Sequence, residues 1–332
     1  MKRVCFIHRK TADTPSIERV FGILADKMER QGLSVVHARL PYSNNALGIL
    51  ANLLLFRHPP ADIYHITGHV HYIALRLPPE RPVLTVHDLG ILRNRTGVRR
   101  GIIKKLFFDW PFRRLRYITA ISEATKLEMI EKTDCEPAKI TVINDPLDPK
   151  MQSAHDAFRT EKPIILLIGT APHKNLEKVV QAVAGLSCRL IIVGIISSDL
   201  TNLLKDLGIE FENAEAKNDE QLYSIYRRSD LVVFCSTFEG FGLPIIEAQA
   251  MGIPLITSDL APMNQIAGDE AVLVDSYDVS EIRNAIERVI SDPELRLSLV
   301  TNGRENVKRF DSEKIAGEYV QLYRRINAET QL

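Results

Sequence analysis

Short apolar runs alternate with longer amphipathic stretches along the whole chain. Such runs, rich in Val, Ile and Leu, are typical of buried parallel strands, and the amphipathic stretches between them are typical of crossover helices. One series of runs covers residues 4–8, 34–40, 63–67, 82–87, 117–121 and 140–143, and a second covers 164–169, 190–194, 209–211, 231–235, 254–257 and 271–274. Each series predicts a doubly wound α/β domain of the Rossmann-like kind.

The region between the two series, residues 145–163, lacks sustained periodicity and contains prolines at positions 146, 149 and 163, which indicates a linker and hinge. We therefore predict an N-terminal domain over 1–150 and a second domain over 151–311. Apolar residues between 312 and 326 recur at helical spacing, which predicts a final helix in 312–332 that packs back across the domains. Two such domains are expected to face a central cleft at the carboxyl ends of their strands.

Composition places the chain among ordinary globular proteins, because 45% of its residues are hydrophobic and 25% are charged. The net charge is zero but unevenly distributed. Residues 1–150 hold 24 basic and 15 acidic side chains, whereas the remainder holds 18 and 27. This asymmetry indicates that the first half meets an anionic partner, such as a membrane surface or a phosphorylated acceptor, or that the two domains attract each other.

Cysteine spacing and hydropathy indicate a cytoplasmic protein. The four cysteines are far apart and form no Cys-x-x-Cys motif, which fits reduced, buried thiols better than a zinc site. The first apolar run covers only 4–7, which is too short for a signal peptide. The longest apolar stretch, 46–56, is too short to span a bilayer.

Candidate chemistry is concentrated after the apolar run at 231–236. Gly240 and Gly242 precede Pro244, which suits the first turn of a helix, so this loop delivers glycines to a helix N-terminus. Glycine lets the backbone approach a ligand closely, and a helix N-terminus attracts phosphate or polar sugar hydroxyls. Glu239 precedes the turn and Glu247 lies one helical turn inside, so both can accept hydrogen bonds from vicinal hydroxyls.

The segment Glu239-Gly-Phe-Gly-Leu-Pro-Ile-Ile-Glu247 resembles the two-glutamate signature of retaining glycosyltransferases of family 4, in particular bacterial mannosyltransferase-type members. The resemblance continues through 248–258 and 267–275 and includes upstream segments at 85–89, 120–126 and 168–176. It thus covers about residues 82–275. The family's glycine-rich loop after the first strand is replaced here by residues 8–16. A dinucleotide-binding fingerprint would need a third glycine where Ile245 stands, so the two glycines alone are weak evidence for a nicotinamide enzyme.

This resemblance implies the GT-B fold, with an acceptor-side first domain and a sugar-nucleotide-binding second domain. It implies that Lys174 holds the diphosphate, with His173 where the family usually has Arg, that Glu239 faces the transferred sugar and that Glu247 holds the ribose. The implied catalytic residues are Glu239, Lys174 and His87, and the implied substrate-binding residues are Gly169, Thr170, His173, Lys174, Gly240, Phe241, Gly242, Leu243 and Glu247. His87, at the end of a strand, can equally be a hydrogen-bonded core histidine. Base contacts are expected near 212–215, after a strand ending at Phe211.

The implied reaction is retaining transfer of a hexose from GDP-mannose or a UDP-sugar to a sugar or lipid-linked acceptor, in cell-surface polysaccharide or glycolipid synthesis. No Asp-x-Asp motif is present, so we predict a metal-independent enzyme with neither metal site nor cofactor and no nucleic-acid partner. Two alternatives stay open: a sugar-nucleotide-binding protein without turnover, and a GT-B-fold epimerase acting on the sugar nucleotide.

Residues 93–116, the basic segment, carry nine basic side chains against one acidic residue, Asp109. Its apolar residues are predicted to share one helical face: Ile102, Ile103, Leu106, Phe107 and Trp110. One interpretation is a helix that packs on the core with a solvated basic face. The other is a peripheral membrane element, at the inner face of the plasma membrane, that brings the active site to a lipid-linked acceptor.

Overall fold

A computed structural model describes residues 2–10, 16–93, 95–152 and 157–330. The chain divides into two compact units, one formed by Met1–Asp148 with Phe310–Leu332 and the other by Pro149–Arg309. The predicted linker at 145–163 therefore contains the point where the chain passes from the first unit to the second, although its residues 153–156 lie outside the described residues. Residues 11–15 of the loop after the first strand also lie outside them.

The first unit is built on a parallel sheet with the order β2-β1-β3-β4-β5-β6. Its strands are β1 (Arg3–His8), β2 (Ser34–Arg39), β3 (Ile63–Ile66), β4 (Pro82–Val86), β5 (Tyr117–Ala120) and β6 (Ile140–Val142). Its first six α-helices are α1 (Ser16–Arg30), α2 (Ala46–Leu55), α3 (Gly90–Arg93), α4 (Gly97–Lys104), α5 (Trp110–Arg114) and α6 (Glu123–Lys132). Shorter pieces are the 3-10 helices His71–Arg76 and Pro137–Lys139 and a π turn, Lys105–Asp109.

The second unit is built on a parallel sheet with the order β9-β8-β7-β10-β11-β12. Its strands are β7 (Ile164–Ile168), β8 (Arg189–Val193), β9 (Glu210–Ala214), β10 (Leu231–Phe234), β11 (Leu255–Ser258) and β12 (Val272–Val274). Its helices are α7 (Leu176–Val183), α8 (Ser198–Asp206), α9 (Asp219–Arg227), α10 (Leu243–Met251), α11 (Met263–Ala267), α12 (Val279–Ser291) and α13 (Pro293–Asn306), with 3-10 helices at Pro172–Lys174 and Val307–Phe310. Each of the twelve predicted apolar runs overlaps a strand, which confirms two doubly wound α/β sheets.

The prediction that the third strand of the second sheet ends at Phe211 is wrong. β9 continues to Ala214, so Glu212 lies within a strand and not in a loop after it. β9 is an edge strand, where polar side chains can remain partly solvated. The carboxylate of Glu212 accepts hydrogen bonds from Arg228 Nη1 at 3.0 Å and from Arg189 Nη2 at 3.3 Å. These ion pairs explain the polar pattern of the strand without a ligand.

The predicted common face of the basic segment is also wrong. Phe107 is buried against the core, whereas Ile102 is 60% exposed and Trp110 is 49% exposed. The π turn at Lys105–Asp109 places five residues where a regular helix would have about four, so Trp110 after it is rotated away from Phe107. Ile102 precedes this turn and lies on the exposed side of α4. Ile103 and Leu106 pack partly against the core, as the core-facing interpretation requires. Position 94 lies outside the described residues.

The last helix, α14 (Ser312–Thr330), completes the first unit. Its predicted apolar residues are all buried: Ile315, Ala316, Tyr319, Val320, Leu322 and Tyr323. The Tyr323 hydroxyl is 2.5 Å from His65 Nδ1, and His65 Nε2 is 2.7 Å from Thr85 Oγ1, which continues to Thr119 Oγ1 at 2.7 Å. The helix is therefore attached to the sheet by a buried chain of hydrogen bonds as well as by apolar packing.

The helices and the cysteines of the described residues agree with the hydropathy and cysteine spacing of the sequence. Among them, no helix combines the length and the apolar character needed to cross a bilayer. Cys5, Cys135, Cys188 and Cys235 are all buried and free, as predicted. Burial raises the pKa of the Cys235 thiol to about 12, so this side chain is an inert part of the core.

Buried histidines are concentrated in the first unit. Burial lowers the pKa of His8 to about 4, that of His71 to about 3 and that of His87 to about 4. It also lowers the pKa of His65 well below the ordinary value of 6.5. These imidazoles are neutral in the folded protein at neutral pH, and unfolding lets them take up protons in acid.

We predict that the first unit loses stability as the pH falls below about 6.5. Below this pH the histidines of the unfolded chain bind protons, whereas the buried histidines of the folded chain stay neutral because their pKa values are lower. Each such histidine lowers the free energy of unfolding by up to about 1.4 kcal/mol per pH unit until its folded pKa is reached. Asp145 acts in the opposite direction, because burial raises its pKa to about 7 and protonation relieves that cost, but it is one group against four. Urea titrations at pH 7 and pH 5, followed by the fluorescence of Trp110, should show a lower midpoint at pH 5. An unchanged midpoint would contradict the prediction.

Candidate ligand site of the second unit

The strand order of the second sheet reverses between β7 and β10. Chain connections leave these two strands in opposite directions, so a crevice forms beyond their carboxyl ends, where open α/β sheets bind ligands. β7 ends at Ile168 and β10 ends at Phe234. The two glycine-containing loops that follow these strands therefore meet at the same edge of the sheet.

The loop after β7 is shaped around Gly169. This residue has φ of +85°, and a Cβ atom there would lie 2.8 Å from Lys174 Cε, so any larger residue would be strained and would displace the lysine. The alkyl chain of Lys174 thus lies against Gly169. Its Nζ lies 4.6 Å from the centroid of the Phe234 ring at the end of β10, a cation–π distance. Packing from both strands therefore fixes the direction of this lysine.

The two loops are joined directly by hydrogen bonds. The backbone N–H of Thr237 donates to the carbonyl of His173 at 2.8 Å. Asn175 Nδ2 donates to the carbonyls of Cys235 at 3.2 Å and of Ser276 at 2.6 Å. Asn175 has φ of 57° in the left-handed region, which asparagine tolerates better than most residues. The sequence interpretation missed this role, although an asparagine after a three-residue turn was a usable signal.

Lys174 and Glu239 form an ion pair, with 2.6 Å between Nζ and Oε1. The lysine side chain is 16% exposed and the glutamate side chain 13%, so this is not a freely solvated surface pair. His173 Nε2 lies 3.9 Å from the same carboxylate oxygen, and the His173 ring is more exposed. The structure therefore brings together three of the predicted site residues, the adjacent His173 and Lys174 and, 65 positions after Lys174, Glu239.

The loop after β10 leads into α10 as predicted. Gly242 caps the helix with φ of +105°, and a Cβ atom there would lie 2.9 Å from Ile245 Cδ1. Pro244 lies in the first turn of the helix. Gly240 and Leu243 are partly exposed on either side of Phe241 and Gly242, which are buried. The glycines thus permit a backbone path that other residues would strain, and they leave the helix N-terminus accessible from the loop.

Glu247 lies on the second turn of α10 and is 3% exposed. Its Oε2 accepts a hydrogen bond from the Tyr226 hydroxyl of α9 at 2.7 Å. A carboxylate this deep needs such a donor, because desolvation disfavours its charged form. Tyr226 was not predicted as a site residue, since nothing in the local sequence indicates that α9 approaches α10.

Two further predicted residues have different surroundings. Thr170 is partly exposed beside Gly194, where a Cβ atom would lie 3.1 Å from Thr170 Cγ2, so the loops after β7 and β8 are in close contact. His87 belongs to the first unit, where it follows β4 and is buried. Its Nε2–H donates to the carbonyl of Thr67 at 2.9 Å. These are the contacts of a hydrogen-bonded core histidine.

The second unit therefore combines a packed lysine, a glycine with positive φ, a glycine-capped helix N-terminus and a buried carboxylate at a topological switch point. The lysine and the helix N-terminus attract an anion, the glycine permits close approach of the backbone, and the carboxylate can accept hydrogen bonds from hydroxyl groups. Fold and site together define a Rossmann-like protein suited to an anionic ligand that also carries hydroxyls.

Comparison with known proteins shows the family to which the chain belongs. The sequence profile described as Glycosyl transferases group 1 matches residues 150–306. The chain is 30% identical over 299 residues to the D-inositol 3-phosphate glycosyltransferase of Corynebacterium urealyticum, a match that covers 79% of this chain and 70% of the relative. The chain belongs to the group 1 glycosyltransferases.

Two further likenesses agree with this assignment. The serotype-specific mannosyltransferase WbdA of Escherichia coli is 24% identical over 270 residues, which is 70% of this chain and 33% of the relative. The chain thus spans about a third of the length of the mannosyltransferases of this name that it matches. Sucrose-phosphate synthase from Thermosynechococcus elongatus superposes with a TM-score of 0.83 at 19% identity, covering 99% of this chain and 100% of that one. The last likeness shows the GT-B fold, which consists of two Rossmann-like domains.

The ion pair generates a prediction for Glu239→Gln. A diphosphate that binds at Lys174 would have to displace the Glu239 carboxylate, and the neutral amide of the variant would remove this competition together with the repulsion between two anions. We therefore expect the variant to bind GDP or UDP about tenfold more tightly, which corresponds to roughly 1.4 kcal/mol. Calorimetry with both nucleotides measures this, and Glu294→Gln on the exposed start of α13 serves as the matched control. Weaker binding by the Glu239 variant would show that the carboxylate itself contacts the nucleotide.

Proposed function

We propose that this chain transfers a hexose, with retention of configuration, from a nucleoside diphosphate sugar to a sugar or lipid-linked acceptor. The observation that carries the proposal is the placement of Lys174 and Glu239 at the switch point of the second sheet, 2.6 Å apart on two loops that are hydrogen-bonded together. A cation and a carboxylate in one site match a donor that has a diphosphate next to a polyhydroxyl sugar. Family 4 is the subgroup whose signature the loop and α10 resemble.

Lys174 is the group that we assign to the departing diphosphate. Negative charge grows on the leaving phosphate during transfer, and a preorganised cation stabilises that charge more than it stabilises the ground state. The lysine is held by Gly169 below and Phe234 beside it, so little reorganisation is needed. His173 adds a second donor 3.9 Å from Glu239 when its ring is protonated, and the glycine-capped N-terminus of α10 adds a favourable dipole.

Glu239 and Glu247 are assigned to two different parts of the donor. Glu239 lies on the loop and is partly exposed, so we assign it to the hydroxyls of the transferred sugar. Glu247 lies deeper, where Tyr226 orients its carboxylate, and we assign it to the ribose hydroxyls. Gly169, Thr170, Gly240, Phe241, Gly242 and Leu243 form the backbone lining of this site. In the first unit His87 is neutral, so its proposed contact with a sugar is a hydrogen bond and not acid catalysis.

The names of relatives support a narrower choice of substrates. WbdA is named as a mannosyltransferase, which favours GDP-mannose, with a UDP-sugar as the other donor to test. The corynebacterial relative is named for an inositol 3-phosphate acceptor, which carries a negative charge. The excess of basic residues in 1–150 is suited to such an anionic acceptor or to a lipid-linked one.

Membrane association belongs to the same proposal. The basic segment leads us to infer a cytoplasmic enzyme that associates peripherally with an anionic membrane, where a lipid-linked acceptor would be found. Its core-facing residues, such as Phe107, and its exposed basic residues, such as Lys105, lie on different sides of the same segment. Both sequence interpretations of the segment can therefore hold for different side chains.

Two variants test the assignment of the site. Glu247→Gln should weaken binding of the nucleoside diphosphate by roughly 1.5 to 3 kcal/mol, since it removes charged hydrogen bonds to the ribose. Lys174→Ala should lower kcat by more than it weakens donor binding, because its partner gains charge in the transition state. Initial rates and calorimetry on the same preparations separate these effects, with Glu294→Gln and the exposed Lys205→Ala as controls. Wild-type rates and affinities in both site variants would refute the assignment.

Activity should survive EDTA. The sequence has no Asp-x-Asp motif, and we assign the stabilisation of the diphosphate to Lys174 and a helix N-terminus, so a divalent cation is not required for that role. We expect the transfer rate to change less than twofold after chelation and dialysis. A large loss that Mg²⁺ or Mn²⁺ restores would overturn this part of the proposal.

A further inference from the structure

Helix α2 has one covered face and one bare face. Ile49 and Leu53 pack against the core of the first unit. On the opposite side Leu47, Leu50 and Leu54 are 80%, 54% and 64% exposed, at spacings of three and four residues that place them in one row. A single exposed leucine is ordinary, but a contiguous apolar row on one helix face indicates an interaction surface.

Helices α2 and α4 lie in the same layer. The connections β2 to β3 and β4 to β5 move in the same direction along the sheet, so right-handed crossovers put both on one face. Helix α2 and the π turn that continues α4 both border the 3-10 helix His71–Arg76. Asn52 Nδ2 of α2 donates to the Tyr72 hydroxyl at 2.9 Å, and the Tyr72 ring is in edge contact with that of Phe107 in the π turn, with centroids 5.3 Å apart. The outer sides of α2 and of the segment formed by α4 and the π turn therefore belong to the same layer, on either side of this 3-10 helix.

The α4 side of this surface is both apolar and basic. Val98, Ile102 and Trp110 are exposed. Arg99, Arg100 and Lys105 are also exposed, and in the described part of the chain none of the three takes part in a salt bridge. By contrast, Arg93 and Arg113 of the same segment are paired with Glu128 and Asp134. The unpaired charges are thus concentrated next to the exposed apolar side chains.

We propose that Leu47, Leu50 and Leu54 of α2 insert into an anionic bilayer. Arg99, Arg100 and Lys105 then bind the lipid headgroups. This inference rests on the proposed function insofar as a lipid-linked acceptor gives it a purpose. Charge complementarity favours an anionic membrane over a second copy of the chain as the partner of this surface. A twofold dimer through this face would place two basic surfaces against each other. A helix of ten residues is about 15 Å long, so α2 lies in the membrane plane and does not span it.

Trp110 provides a probe without labelling, because it is the single tryptophan of the chain and borders this surface. With vesicles of phosphatidylcholine and phosphatidylglycerol at low salt, we expect a blue shift of its emission and cosedimentation of the protein. Leu47→Ser, Leu50→Ser and Leu54→Ser should each weaken partitioning about fivefold to tenfold. Leu297→Ser, at a leucine that is 69% exposed on α13 of the other unit, should leave partitioning unchanged.

A second set of variants separates charge from insertion. Arg99→Gln, Arg100→Gln and Lys105→Gln combined should abolish binding at low salt, and added salt should weaken binding of the wild-type protein. If the triple leucine variant binds vesicles like the wild type, α2 does not insert and the proposal is overturned. It is also overturned if the wild type sediments without vesicles as a dimer that the leucine variants convert to a monomer.

Nucleotide binding distinguishes failure of this inference from failure of the proposed function. Calorimetry with GDP and UDP should give equal affinities for the wild type and for the leucine variants. Helix α2 belongs to the first unit, whereas the proposed nucleotide site is built from residues of the second unit. A wild type that binds vesicles but neither nucleotide would remove support for the proposed function and leave the insertion surface standing. A wild type that binds nucleotide but no vesicles would overturn the insertion surface and leave the proposed function supported.

Discussion

The reversal of strand order between β7 and β10 is the constraint on which the candidate site depends. Parallel strands present their carboxyl ends at one edge, so the loops that follow these two strands must share a small space. Each loop also turns tightly on itself, because Gly169 and Gly242 have positive φ and a Cβ atom at either position would lie below 3.0 Å from a side chain of the same loop or of the helix that follows it. The shared space lets backbone groups of one loop satisfy those of the other, as in the bond from Thr237 to His173. Site and fold are thus specified by the same few residues.

The ion pair between Lys174 and Glu239 neutralises a partly buried lysine when no ligand is bound. A partly buried cation is costly unless it is paired, and within the described residues these loops supply the Glu239 carboxylate 2.6 Å away. The pair keeps the lysine in position. Under the proposed function, the carboxylate would also compete with an incoming diphosphate. Preorganisation for the transition state and affinity for the ground state would then be opposed at this site.

The sequence was most informative where local rules and global fold agree. All twelve strands follow from apolar runs, and the glycine-proline pattern before α10 predicts a loop and a helix start that the structure has. Predictions failed where the decisive contact is distant in sequence or changes the helical period. β9 is longer than its apolar core because Arg189 and Arg228 hold Glu212, and the π turn at Lys105–Asp109 rotates Trp110 away from Phe107. Tyr226 could not be found as a partner of Glu247, since only the packing of α9 on α10 brings them together.

The first unit shows how a terminal helix can be specified by polar groups as well as by apolar area. His65 lies inside the sheet layer with both ring nitrogens in hydrogen bonds, one to Tyr323 of α14 and one to Thr85 of β4. Apolar packing alone would tolerate a helix displaced by one turn, because Ile, Leu and Val substitute for one another with little loss. A displaced α14 would leave the buried imidazole without its hydroxyl partner, and an unsatisfied buried polar group costs about 1 to 3 kcal/mol. Residues more than 250 positions apart in the sequence therefore fix the register of the last helix, and burial holds the pKa of the shared imidazole well below its ordinary value.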